Sequence, residues 1–240
     1  KGGWWMGHLG SAFAFRRRMG SAVSACCGER NGHAKHLNRR PPLVICGPSG
    51  VGKGTIIKEM SARYPYSFGF SVSHTTRGPR PGERDGEHYH FSSYDEMVAD
   101  IKAGKFIEHA LVHSNMYGTS FSAVEEVMSS GRICILDIDA QGVRNVRKTW
   151  AHVEPRPHYV FIMPPARPTP LGALEARLRK RGTETEAKVQ ERLENARGEI
   201  DFAQENGGAN FDLVIVNDDL ATAVNELCTA IEGWQSTKLR

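Results

Sequence analysis

Cysteine is scarce in this 240-residue chain, and long uncharged apolar stretches are missing. Its five cysteines, Cys26, Cys27, Cys46, Cys134 and Cys228, form an odd set without a C-x-x-C pair. That argues against a disulfide-stapled scaffold and a thiolate zinc cage, and for a reducing compartment. No run approaches the roughly 18 to 20 apolar residues that a bilayer crossing needs, so no membrane span is expected. Aromatics reach only 8%, but 40% hydrophobic and 24% charged residues describe an ordinary folded chain, not a collagen-like or wholly disordered one. Acids are nearly absent from residues 1–40, where eight basic side chains face Glu29 alone, whereas the other 200 residues carry 23 basic and 26 acidic groups. The net charge of +4 therefore resides in the extension.

Residues 1–40 are rich in Gly, Ser, Ala and Arg and show no apolar periodicity before Pro41 and Pro42. They are expected to stay outside the core as a disordered extension, either an organelle presequence or a basic tail. The expected location is the cytosol, or a mitochondrion or plastid if the extension targets. No nucleic-acid-binding module follows these arginines, so a nucleic-acid partner is not expected.

From Leu43 the pattern becomes regular. The β-branched runs 43–46, 132–138, 158–163 and 212–216 read as buried strands. Helical stretches are expected at 53–63, 140–149, 171–181, 186–205 and 219–232; in the fourth, Val189, Leu193, Ala196, Ile200 and Ala203 recur at helical spacing. Strands alternating with helices predict a parallel sheet covered on both faces, a three-layer α/β core. Residues 66–123, richer in aromatics, arginine and turn residues, read as an inserted lobe.

After the first strand stand Gly47, Pro48, Ser49, Gly50, Val51, Gly52, Lys53, Gly54 and Thr55. Glycines here let backbone N–H groups curl around an anion, the following helix adds its positive end, and Lys53 can bridge outer phosphates. This is a phosphate-binding loop of the G-x-x-x-x-G-K form in its strand-to-helix context. Gly54 departs from the motif where a Ser or Thr hydroxyl ordinarily meets magnesium, and Thr55 follows one residue later.

Beyond the loop, the run from Phe68 to Glu83, with Gly86, His88, Tyr89 and Phe91, closely resembles guanylate kinases, which move a phosphoryl group from ATP to GMP. The likeness continues through Phe106-Ile107-Glu108, Tyr117-Gly118-Thr119, the 135–142 stretch ILDIDAQG, Arg181 to Glu186 and Val216-Asn217-Asp218-Asp219, covering about 43–232 in family order. The proline-rich 164–170 stretch is longer than is usual for the family. The resemblance implies a P-loop kinase core at 41–70, 124–170 and 206–240, a GMP-binding lobe at about 71–123 and a small helical lid at about 171–205. It also implies Mg²⁺ as cofactor, with ATP and GMP as partners of a monomer.

Several residues carry chemistry of their own. Arg77 and Arg80, three apart in a Pro/Gly-rigid loop, can clamp a phosphate dianion, and Tyr89 and Tyr117 offer phenolic donors. Read alone, these are equally surface arginines and core tyrosines; the resemblance assigns them to the GMP phosphate. Glu108, after apolar Phe106 and Ile107, offers two acceptor oxygens to the N1–H and amino group of guanine, and read alone is a solvated strand glutamate. By resemblance Ser73, Thr119 and Asp137 complete the base contacts, and Asn217 and Asp218 lie near the adenine of ATP.

Asp137 and Asp139, at the end of a strand where α/β ligand sites collect, are expected to hold the water shell of Mg²⁺, with helix capping the alternative for Asp139. No general base is expected, because the attacking phosphate is already anionic. Arg177, Arg181 and Arg192 lie in or beside the segment resembling the lid; with Lys53 and Arg80 they form the expected catalytic set. The alternative pairs them with Glu175, Glu184 and Glu186 on a solvated face. Two other functions remain open: a catalytically weak guanylate-kinase-like protein-binding module, which typically has a degraded phosphate loop, and a kinase of another nucleoside monophosphate.

Overall fold

The structure is a computed structural model that describes residues 39–112, 114–182, 185–235 and 238–240; of Val112, Arg181 and Asn206 it describes the backbone alone. Residues 1–38 of the basic extension thus lie outside the described residues. The elements run β1 (Leu43–Cys46), α1 (Lys53–Arg63), β2 (Phe68–Phe70), β3 (His74–Thr75), β4 (His90–Phe91), α2 (Tyr94–Lys102), β5 (Phe106–Val112) and β6 (Asn115–Ser120). There follow α3 (Phe121–Ser129), β7 (Ile133–Asp137), α4 (Ala140–Thr149), β8 (His158–Met163), α5 (Pro170–Arg181), α6 (Glu186–Gln204), β9 (Leu213–Val216) and α7 (Leu220–Gln235).

Successive side chains of a strand point to opposite faces, and β1 shows the result. Leu43 and Ile45 enter one core with Ile56, Ile57 and Met60 of α1 and Val224, Leu227 and Ile231 of α7. Val44 and Cys46 enter the other with Val124 and Val127 of α3 and Val143 and Val146 of α4. Apolar residues on both faces of one strand produce the three-layer core. Every pair in the main sheet is parallel, in the order β2-β7-β1-β8-β9. The loop after β1, Asp137 at the end of β7 and Asn217 just past β9 consequently share one rim, where ligands of such sheets bind.

A second sheet, β4-β3-β6-β5, lies within 71–123. Its small core is Met97 of α2 with Phe106 and Met116. α2 opens with a capping box, Ser93 Oγ accepting from Glu96 N at 3.2 Å while Glu96 Oε2 accepts from Ser93 N at 2.9 Å. Pairing of β5 with β6 slips by one residue between Phe106 and Glu108. That bulge sends Phe106 to the small core and Ile107 to the main one, and leaves Glu108 beside Thr119.

Strand and helix positions in the core follow the sequence pattern to within a few residues. The elements between β2 and β7 do not: α2 and α3 have nine residues each, and β3 and β4 only two, too short for periodicity to register. Within 171–205, Leu174 and Leu178 of α5 are buried, as are Ala196, Ile200, Phe202 and Ala203 of α6, so the later half of α6 is built into both faces of the main core.

Candidate active site: a phosphate loop and a buried carboxylate on one rim

The loop closes on itself through Val51 N donating to Pro48 O at 3.1 Å, and α1 begins at Lys53. Gly50 and Gly52 hold φ of 88° and 105°, which side-chain-bearing residues rarely adopt. A β-carbon at Gly52 would also stand 2.5 Å from Asn217 Nδ2, which donates to Val51 O at 2.8 Å. Lys53 Nζ folds back to donate to Gly47 O at 2.5 Å and lies 3.8 Å from Asp137 Oδ1. Gly54 is exposed, and a β-carbon there would meet nothing within 4 Å. Glycine at that position is therefore not forced by packing.

Two of the expected arginines rest on the loop. Arg177 NH1 donates to Val51 O at 2.9 Å and NH2 to Asn217 O at 2.7 Å, tying α5 to both the loop and the end of β9. Arg192 of α6 donates to Ser49 Oγ. The Arg181 side chain lies outside the described residues, as do Thr183 and Glu184. Beside Arg177 opens a cleft of about 460 Å³ lined by Gly50, Gly52, Thr55, Lys180, Asn217 and Asp218, among others. Lys180 is a lining cation that nothing in the sequence distinguishes from Arg179, which instead pairs with Glu175 and Glu186.

In the second sheet, Arg77 grips Glu83 with both prongs, each at 2.9 Å, and lies 5.3 Å from the Tyr89 ring centroid. The rings of Tyr89 and Tyr117 stand 6.0 Å apart, edge to face. Arg80 keeps its side chain exposed while its N–H donates to Glu83 Oε2 at 2.7 Å. Ser73, half-buried just before β3, accepts through its backbone O from His90 N at 2.9 Å. Arg77, Tyr89 and Tyr117 are thus gathered by β3, β4 and β6, with Arg80 on the adjoining turn.

Glu108 is 7% exposed, and its Oε1 accepts from Thr119 Oγ1 at 2.6 Å. Burial, reinforced by the Asp139 charge, pushes its carboxyl up to about 7, against the Thr119 hydrogen bond. A solvated strand glutamate is therefore not what stands here. Asp139 caps α4, its Oδ1 accepting from Gly142 N at 2.7 Å. Asp137 is the last residue of β7, and Asp139 lies beyond the strand, at the cap of α4. Glu199 of α6 also lies in this neighbourhood: burial pushes its carboxyl up to about 7, Lys53 opposes that and Asp139 adds to it. The sequence signal for Glu199 is weak, one acid among several on a long charged helix. Phosphate loop and buried carboxylate are therefore joined by one short stretch, the β7–α4 connection.

A family model described as guanylate kinase matches residues 39–233. The chain belongs to the guanylate kinase family. Guanylate kinase 1 of Oryza sativa subsp. japonica is 51% identical over 186 residues, covering 78% of this chain and 46% of that protein. The guanylate kinase of Homo sapiens is 47% identical over 190 residues, covering 79% of this chain and 91% of that one. This family member thus spans under half the length of the rice protein and nine-tenths of the human one. The crystal structure of guanylate kinase from Anaplasma phagocytophilum shares the fold, with a TM-score of 0.58 at 27% identity over 82% of this chain and 87% of that one.

Proposed function

We propose that this guanylate kinase family member transfers the terminal phosphoryl group of ATP to GMP, and to dGMP, yielding the diphosphate. The observation that carries the proposal is the pairing, across the β7–α4 connection, of a P-loop lysine with a carboxylate kept from water. Lys53 stands 3.8 Å from Asp137, and, two residues on, the Asp139 charge adds to the burial that disfavours ionisation of Glu108.

The acceptor sits in the 71–123 lobe. Glu108 accepts from N1–H and the exocyclic amino group of guanine, an edge that adenine does not present, with Ser73, Thr119 and Asp137 completing the base pocket. Arg77, Arg80, Tyr89 and Tyr117 hold its phosphate. The donor lies along the loop 47–55, with adenine near Asn217 and Asp218 in the cleft beside α5. Lys53 covers the outer phosphates; Arg177 and Arg192, which rest on the loop, and Arg181 of the same 171–205 segment add positive charge around the transferring group. Reaction follows from alignment and charge neutralisation, without a side-chain base. Closure keeps water from replacing GMP as acceptor.

Asp137 carries an exposed carboxylate beside Lys53, and one or two carboxylates plus nucleotide phosphates are the donors Mg²⁺ prefers. The residues fit the ion, with Asp137 and Asp139 holding it through water. Mg²⁺ when bound supplies charge neutralisation across the outer phosphates. Initial rates of ADP release with GMP, dGMP, AMP and UMP test the proposal. Turnover with the two guanine nucleotides, at least about 10²-fold above the others, is expected; equal turnover with AMP would exclude Glu108 as selector.

A further inference from the structure

Gly142 stands in the first turn of α4 between two carboxylates. A β-carbon there would lie 3.0 Å from Ile138 Cβ and 3.3 Å from both Asp139 Oδ1 and Glu108 Oε2. Its φ is not in the left-handed region, so backbone geometry does not demand glycine. Helix propensity disfavours it, because alanine is the better residue inside a helix. What remains is space.

We infer that Gly142 is a positioning residue for base selection: by lacking a side chain it lets the Glu108 carboxylate lie against the first turn of α4 in the pose that meets guanine. The inference rests on the proposed role of Glu108 and extends it to a residue that touches no substrate. Three observations carry it. Glu108 Oε1 is fixed from the β6 side by Thr119 at 2.6 Å, while its Oε2 lies against the first turn of α4 beside Gly142. Gly142 N holds Asp139 Oδ1 at 2.7 Å, which anchors that carboxylate as a cap and keeps it from yielding. Ile138 Cβ is fixed to the backbone beside β7, so an added methyl displaces the far end of the Glu108 side chain, by a few tenths of an ångström.

The test is Gly142→Ala, with Gly233→Ala of α7 as the matched control, since a β-carbon at Gly233 meets nothing within 4 Å. KM for GMP, KM for ATP and kcat are measured, together with kcat/KM for inosine monophosphate, which lacks the 2-amino group. Gly142→Ala is expected to raise KM for GMP about tenfold, in line with the cost of small misplacements in a site, and to lower the GMP-to-IMP preference. KM for ATP and kcat should stay within about twofold, and Gly233→Ala should match the parent. The double variant Glu108→Asp with Gly142→Ala restores the missing space and is expected to lose less than the two single changes combined. Unchanged KM for GMP, equal losses for GMP and IMP, or simple additivity in the double variant would each overturn the inference. Failure of the parent protein to prefer GMP would instead overturn the reading of Glu108 itself.

Discussion

Arg77 and Glu83 form a two-pronged ion pair, both nitrogen-to-oxygen distances 2.9 Å, across a turn that also fixes Arg80 through its backbone N–H. The side chains are only 14% and 17% exposed, so the pair is partly shielded from competing water. Glu83 thereby orients both arginines assigned to the GMP phosphate.

Glu83→Gln removes the charge but keeps the shape. KM for GMP should rise about tenfold with kcat within about threefold, because binding geometry and not the transfer step is disturbed. Steady-state kinetics check this. The Arg77 hydrogen bonds hold the Glu83 carboxyl down to about 2. A depressed carboxyl stabilises above its unfolded value and loses that contribution only as pH falls through about 2, so this pair adds no pH dependence near neutrality.

Glu108 does. With its carboxyl pushed up to about 7, it is largely protonated below that pH and then lacks one acceptor for guanine. kcat/KM for GMP is expected to climb as pH rises through about 7 and to level off above, and Glu108→Gln should erase the step while lowering GMP selectivity by about 10²-fold or more. Stability runs the other way. A raised carboxyl contributes most below its unfolded value and loses that contribution as pH rises through about 7, on the order of 3 kcal/mol in all. Denaturant titrations of parent and variant at pH 5 and pH 8 measure the difference.

Gly54→Ser should be tolerated, since the position is exposed and helical with nothing near a β-carbon. Serine gains about 0.5 kcal/mol in helix propensity. It also returns a hydroxyl to the position where the motif ordinarily offers one to magnesium, so the Mg²⁺ concentration for half-maximal rate should fall. A titration of rate against Mg²⁺ at fixed ATP reads it.

Arg177→Ala cuts the two bonds that tie α5 to Val51 O and Asn217 O. A loss of about 2 kcal/mol in stability and a rise in KM for ATP are expected, read by thermal melts and kinetics. Arg177→Lys should rescue little, because an ammonium cannot span both carbonyls as a planar fork does.

The loop 47–55 was legible without any comparison, because strand, glycines, lysine and helix are contiguous and their chemistry is local. The parallel core was legible for a similar reason: Leu43 to Cys46 are apolar on both faces, and only a covered sheet satisfies that. Glu108 was singled out only through family resemblance, since its burial depends on a bulge in β5 and on Thr119 across the hairpin. Glu199 and Lys180 give little sequence signal, and Gly142 enters only within the 135–142 stretch that resembles the family; the nearness of its α4 turn to Glu108 appears only in the fold. For Asp139 the sequence offers both an ion shell and a helix cap; its Oδ1 caps α4 through Gly142 N, a contact that leaves the second oxygen for the proposed ion shell.

Juxtaposition of two nucleotides is tested most directly by calorimetric titration of adenosine and guanosine joined through a polyphosphate bridge. One molecule per chain should bind about 10²-fold more tightly than GMP alone, and Lys53→Ala should remove most of that gain. Affinity no better than that of either separate nucleotide, or two molecules bound per chain, would contradict the arrangement.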